Sequence, residues 1–311
     1  MRPWFCLIAV FAVALCAGCH KESAHSIPVD AKLASFVPPD TSLLAGIDLD
    51  GLKASPFYRR HESELNVPQL NALPERLGLD PRRDVSAVLI AWQGNQPLVM
   101  AHGSFSAKEV EPNLAAAGGQ STHYRDQNLF GGGDDAVFFP SQNILIAGPV
   151  SALHSLIDRG SGGGIPAPVQ TRLGNLPPDD QIWAVSTQGL PVDRIPMRSD
   201  VSSAFSNLVR YVAGVNVGIG IDDGIHLQAD LTCLSADGAR QVHDALRGGI
   251  GMGRLMTKDD ELDLLKLYDS IKVDQDQQAV RVHADLPAEL SDRLLKYLPG
   301  LTGRADRMLM R

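Results

Sequence analysis

The sequence predicts an α+β fold made of two related units, each ordered β-α-β-β-α-β-β-α, with antiparallel sheets covered by helices on one face. Three observations carry that reading. Short segments alternate apolar and polar residues between Gly, Pro and Asp turns. A Pro-Pro-Asp turn leading into a strand occurs at Pro38-Pro39-Asp40 and again 139 residues later, at Pro177-Pro178-Asp179. The elements after each turn recur in the same order, the sequence signature of a duplication.

The first unit spans residues 36–158 and opens with VPPDTSLLAGIDLDGL, a turn followed by an alternating strand from Leu44 to Leu49. Residues 51–77 read as helical. VSAVLIAWQGNQPLVMAHGSF gives two strands about a turn at Gly94, and Ser106 then starts a helix with Val110, Leu114 and Ala117 on one side. Ser106-Ala107-Lys108-Glu109 has the form of a capping box, in which the Ser hydroxyl accepts from the amide three residues on while Glu reaches back. Gly131-Gly132-Gly133 turns the chain into AVFFPSQNILIAG, a last hairpin before a helix over Val150 to Asp158.

The second unit, residues 176–300, repeats this plan. LPPDDQIWAVSTQGL supplies the turn and a strand over Ile182 to Val185. VSSAFSNLVRYVAG supplies a helical stripe of Val201, Phe205, Leu208 and Val212. In the hairpin VNVGIGIDDGIHLQADLTCL, Gly224 takes the place of Gly94, and Ser235 caps a helix carrying Ala239, Val242, Ala245 and Leu246. Gly248 to Gly253 reads as a loosened helix end or a close-packing surface. Lys258-Asp259-Asp260-Glu261 opens a further helix with Leu264, Leu265 and Tyr268, its carboxylates complementing the helix dipole. SIKVDQDQQAVRVHAD forms the last hairpin, where Val280, Val282 and Ala284 alternate with Arg281, His283 and Asp285, so that one face wants a helical cover. A helix over Pro287 to Leu298 follows. Residues 159–175 form a Gly/Pro linker, read as a flexible surface connector, and residues 301–311 a tail read as a frayed terminus.

Residues 1–18 read as an export signal. Arg2 provides a short basic start and WFCLIAVFAVALCA an uncharged apolar stretch too short to span a bilayer comfortably. The next residues admit two interpretations. Cys16-Ala17-Gly18-Cys19-His20 matches the attachment pattern of a c-type haem. Ala17-Gly18-Cys19 resembles a lipobox, in which Cys19 is acylated and becomes the mature N-terminus. Cleavage before Cys19 discards Cys16, and the polar KESAHS that follows offers a macrocycle no apolar pocket, so lipidation of Cys19 is the expectation. The place three residues before Cys19, usually Leu, holds Cys16, and Ala12-Val13-Ala14 offers an alternative cleavage that would leave a soluble periplasmic protein. With His20 rather than Asp after the lipidated residue, the expected address is the outer membrane, on its periplasmic face. Residues 19–35 are then a tether.

The formal charge is −8, and the signal carries only Arg2, so its removal makes the balance slightly more negative. Scattered signs on an acidic chain argue against nucleic acid as a partner, because phosphate neutralisation needs clustered Lys and Arg. Aromatic residues make up 5%, too few to suggest a stacking site. Of four cysteines, Cys6 and Cys16 leave with the signal and Cys19 is lipidated, so Cys233 alone remains and the core carries the stability. It alternates with polar residues in HLQADLTCL and reads as a small buried hydrophobe.

No catalytic signature emerges. His61-Glu62 lacks the second His of a zincin motif, no Ser stands three residues before a Lys, and Ser106 sits in a helix cap rather than in G-x-S-x-G. The glycine runs lack the flanking residues of phosphate or calcium loops. The nine His residues do not pair at ligand spacing. We therefore expect no catalytic residue, no cofactor and no metal. The expected partners are the membrane, through the lipid, and an envelope protein.

VPPDTSLLAGIDLDGL and the second Pro-Pro-Asp opening resemble uncharacterised bacterial envelope proteins, including acidobacterial-type lipoproteins of a domain-of-unknown-function family. The resemblance implies address and architecture and brings no site residues. The functional expectation is a membrane-anchored periplasmic lipoprotein acting as a non-catalytic binding or scaffolding module. The alternative is an exported hydrolase with a dispersed site between the units, which would require His102, His123, His226 and Asp230 to converge.

Overall fold

The computed structural model describes residues 29–64, 74, 77–94, 96–189 and 208–295. The signal with Cys19, the Val201 and Phe205 part of the predicted stripe, and the tail lie outside the described residues. The chain is α+β, with all twelve described strands in one antiparallel sheet.

The first half contributes β1 (Leu43–Asp48), β2 (Val85–Gln93), β3 (Gln96–Gly103), β4 (Gln120–Tyr124), β5 (Gln127–Gly132), β6 (Asp135–Ser141) and β7 (Ile144–Pro149). The second contributes β8 (Ile182–Ser186), β9 (Val212–Ile221), β10 (Ile225–Cys233), β11 (Ile271–Asp276) and β12 (Ala279–Leu286). Across the sheet the order is β11-β12-β10-β9-β8-β1-β2-β3-β7-β6-β5-β4. The seam is the β1–β8 pair, in which Leu43 faces Ser186, Ala45 faces Ala184 and Ile47 faces Ile182.

Side chains alternate between the two faces, and helices pack on both. On one, Leu44, Leu89, Met100, Ile146, Trp183 and Val185 pack with Leu33 of α1 (Ala31–Ala34), Leu153 and Leu156 of α6 (Val150–Arg159), and Val169 and Leu173 of α7 (Ala167–Leu173). On the other, α5 (Ala107–Ala116), which follows α4 (Pro81–Asp84) in the chain, covers Val85 and Phe139 of the first half, and α8 (Ala236–Met256) covers Val215, Cys233 and Val280 of the second. The expectation of helices on one face is thereby corrected. A hairpin such as β6–β7 is apolar on both sides, with Ile146 in one cluster and Leu145 against the other.

Other local expectations change too. The hairpin β4–β5 is additional, and its strand QSTHY is exposed at four of five positions, so it carries no apolar alternation. The tether and linker are not plain connectors: Leu33 and Val169 belong to the core, and Gly163 N donates to Ser35 O at 3.0 Å. Gly248 to Gly253 lies inside the 21-residue helix α8, and Gly253 packs so closely on Tyr268 that a Cβ there would fall 2.8 Å from the ring. Ser106 makes no side-chain cap, its hydroxyl meeting Gln142 at 3.5 Å instead. Ser235 does cap α8, accepting from Gly238 N at 3.0 Å. Cys233 is a free, buried thiol, and burial raises its pKa.

The seam has one tight point. Gly46 sits opposite Trp183, and a Cβ on Gly46 would lie 2.3 Å from the indole Cζ2. Gly46→Ala is expected to cost on the order of 1–3 kcal/mol in urea unfolding, as overpacked core sites do. Adding Trp183→Leu should recover part of the loss.

Candidate functional site

Strand β9 places Gly214, Asn216, Gly218 and Gly220 on the face that carries Trp183 and Val185, since Val185 pairs with Asn216 and Trp183 with Gly218. Glycine at alternate strand positions marks a close approach by another group. Two groups approach here. The Arg172 guanidinium lies over Gly214, donating to Asn216 Oδ1 at 3.3 Å, and burial lowers its pKa. The Asp180 carboxylate lies over the other two glycines, where a Cβ on Gly218 would fall 1.9 Å from Oδ2 and one on Gly220 would fall 3.0 Å from Oδ1.

Asp180 stands in the turn after the second Pro-Pro pair, closed by its own amide donating to Pro177 O at 3.3 Å. Its neighbour Gln181 fixes the turn to the sheet. The Gln181 amide donates to Ile219 O, its carbonyl accepts from Asp48 N at 2.7 Å, and its side-chain oxygen accepts from Ile221 N at 2.6 Å. Asp180 is 8% exposed, and Oδ2 is buried with no hydrogen-bond partner among the described residues.

Asp180 lines a cavity of about 640 Å³. Its floor is one face of the second half: Gly220, His226 and Gln228, then His283 and Asp285 across the β10–β12 pair. The opposite wall comes from the first half, through Gly51 and Ala54 of α2 (Leu49–Ala54) and Ser55, which caps α3 (Pro56–His61) by accepting from Tyr58 N at 3.1 Å. The wall is tied to the β9–β10 turn by Phe57 N donating to Asp222 O at 2.9 Å, and by Arg60, which contacts Asp223 and Asp292.

The floor is internally paired. Asp285 meets His226 Nδ1 at 2.7 Å through one oxygen and His283 Nε2 at 2.6 Å through the other. The His226 hydrogen bond, with that of His283, holds the Asp285 carboxyl below its ordinary range despite partial burial. Asp180 is shifted the other way: burial first, and the nearby Asp179 second, raise its pKa from the usual 3.8 to about 6, against the pull of His226.

The four residues the hydrolase alternative needed do not converge. Only His226 reaches the cavity. His102 on β3 is held by Asp30 Oδ2 at 2.7 Å, Lys32 Nζ at 2.9 Å and Asn143 Nδ2 at 3.0 Å. His123 on β4 pairs with Asn128, and Asp230 stands four residues along β10 from His226, about 13 Å at strand rise. Burial raises the Asp230 pKa and Arg281 opposes it. Among the described residues no three His, Cys, Asp or Glu side chains are placed to hold a metal ion, and no helix is long and apolar enough to cross a membrane. Asp180, Asp285 and His283 were not singled out from the sequence as site residues. The alternating glycines of VAGVNVGIGI were the available signal for Asp180.

No protein-family model and no curated protein matches the chain. Solved structures of TP0453 are similar to it. Crystal form I covers 88% of this chain and 98% of that one at 10% identity and a TM-score of 0.46. Form III covers 86% and 99% at 9% and 0.49, and form IV 85% and 95% at 10% and 0.47.

The Asp180 shift has a definite sign in stability. The folded carboxyl holds its proton more tightly than the unfolded one, so the native state gains on acidification between pH 6 and about 4 and loses that gain as pH rises through 6. At about 1.4 kcal/mol per unit, the burial penalty at neutral pH is about 3 kcal/mol. Asp180→Asn is expected to raise the urea midpoint at pH 7.5 and leave it nearly unchanged at pH 4. A variant less stable than the parent at pH 7.5 would show that Asp180 is not held under strain.

Proposed function

We propose that the chain is a membrane-anchored periplasmic lipoprotein, fastened through Cys19 to the outer membrane, whose folded part is a non-catalytic binding module of the cell envelope. The observation that carries the binding role is the cavity between the α2–α3 wall and the β9–β10–β12 floor. Its size lies within the range of small-molecule sites, and its walls come from both halves of the chain, where pockets concentrate. Its hydroxyl, Ser55, is engaged as a helix cap, and its imidazoles are paired with Asp285 rather than with a nucleophile. The anchor rests on the Ala17-Gly18-Cys19 sequence.

We further read the two halves as copies of one unit. Outward from the seam the strand order is β1-β2-β3-β7-β6 on one side and β8-β9-β10-β12-β11 on the other, the exception being the added hairpin β5–β4. The 139-residue offset of the Pro-Pro-Asp turns makes Ala45 and Ala184 equivalent, and these two face each other across the seam. Two equivalent strands meeting about a local two-fold is the geometry of an isologous dimer contact. A fused ancestral pair supports this pattern.

Expression of the full chain in a bacterium fed alkynyl-palmitate should label the parent and leave Cys19→Ala unlabelled. A haem-staining band, or an unmodified N-terminus upstream of Cys19 by intact mass, would overturn the anchor. For the cavity, Ala54→Trp places an indole at an exposed wall position and should abolish thermal shifts by small-molecule ligands while leaving the melting temperature of the free protein within a few degrees.

A further inference from the structure

Resting on the cavity as a binding site, we propose that its ligand is a small organic cation, a protonated amine on an apolar stem, whose ammonium is received by Asp180. The charge around the cavity selects the sign. Asp179, Asp180, Asp222 and Asp285 line it, and among the described residues no Lys or Arg does. An anionic ligand would enter against four carboxyl groups, while a cation is drawn in by them, the more so where a low-dielectric wall focuses the field.

Asp180 then selects where the charge sits. A buried carboxylate without a partner is costly, and the group has two ways out: it takes a proton, or a cation supplies the missing donor. Its Oδ1 lies toward Gly220, which lines the same cavity and has no side chain to cover it. Asp285 is a poorer receptor, since both of its oxygens are engaged by imidazoles. The stem is suited to the rest of the lining, where Ala54 and Pro177 offer apolar contact beside the strand backbone at Ile221 and Leu227. A bare metal ion is a weaker candidate, as no three ligating side chains converge among the described residues.

Charge-dependent binding follows from the groups facing Asp180. Asp179 shares its turn, Asp222 lies on the β9–β10 turn, His226 is on β10, and His283 and Asp285 are on β12, while the α2–α3 wall contributes no charged lining residue. Acidification protonates Asp180 and so removes the charge that receives the ammonium.

The test is calorimetric titration of the folded mature chain with n-hexylamine, 1-hexanol and hexanoate. At pH 7.5 n-hexylamine should bind at least tenfold more tightly than either isostere, and its affinity should fall at least tenfold at pH 5. Asp180→Asn should weaken n-hexylamine at least tenfold while leaving 1-hexanol unchanged, with its melting curve recorded to confirm folding. The isostere comparison needs no variant and stands even if that one fails to fold. Hexanol or hexanoate binding as tightly as hexylamine, with Ala54→Trp blocking it, would overturn the cation and keep the cavity. Hexylamine binding that Ala54→Trp and Asp180→Asn leave untouched would overturn both.

Discussion

The antiparallel pairing of β1 with β8 is the contact on which the rest of the structure depends. It joins strands 139 residues apart in sequence and turns two half-sheets into one of twelve strands. Because each strand would otherwise present an open edge, the pairing also satisfies two rows of backbone groups that an unjoined half would leave to solvent or to another chain. Long-range pairing is costly in loop-closure entropy. The seam meets that cost with apolar packing on its covered face, where Leu44, Trp183 and Val185 are all nearly inaccessible. The absence of a side chain at Gly46 lets the largest of them lie flat on its neighbour.

The cavity is a consequence of the seam. Joining the halves brings the end of β1, with Asp48 and the helices after it, beside the Pro177–Gln181 turn and the end of β9. In the first half the corresponding face is covered by α6 and carries apolar Met100 and Ile146. In the second half the strands β10 and β12 place His226, Gln228, His283 and Asp285 on that face, where among the described residues they line a cavity. The same sheet thus buries one end and exposes a polar surface at the other. This asymmetry turns a shared architecture into a single site.

Much of this was legible in residues, and the exceptions have physical causes. Alternation identified β1, β2, β3, β9, β10 and β12 because each has at least one consistent apolar face. The strand QSTHY was missed because it sits at the sheet edge, exposed, and is held by backbone pairing to β5 rather than by burial. Helical cover was assigned to one face because the last hairpin, with Arg281, His283 and Asp285 on one side, suggested it, and that hairpin is the open end of the sheet. Of the two readings of the glycine run, a loosened helix end and close packing, Gly253 against Tyr268 fits the second, and that packing outweighs a cost of about 1 kcal/mol per glycine. The site was least legible, since Asp180 looks like one of two turn carboxylates. Only the sheet shows that Gly218 and Gly220 lie beneath it.

That placement is also where the sequence pays stability for something other than folding. The Pro-Pro-Asp-Asp turn is closed by the backbone amide of residue 180, which an apolar or amide residue there would supply equally well. Gly218 and Gly220 add backbone freedom to the unfolded chain and weaken a central strand. Three residues on two elements therefore each carry a cost, and together they produce one largely buried carboxyl at the wall of a cavity. Costs that coincide in space without improving the fold are the mark of a functional constraint. The first half is built differently at the matching turn: Asp40, the match of Asp179, meets Gln93 at the surface, and the match of Asp180 is Thr41, a buried but uncharged residue.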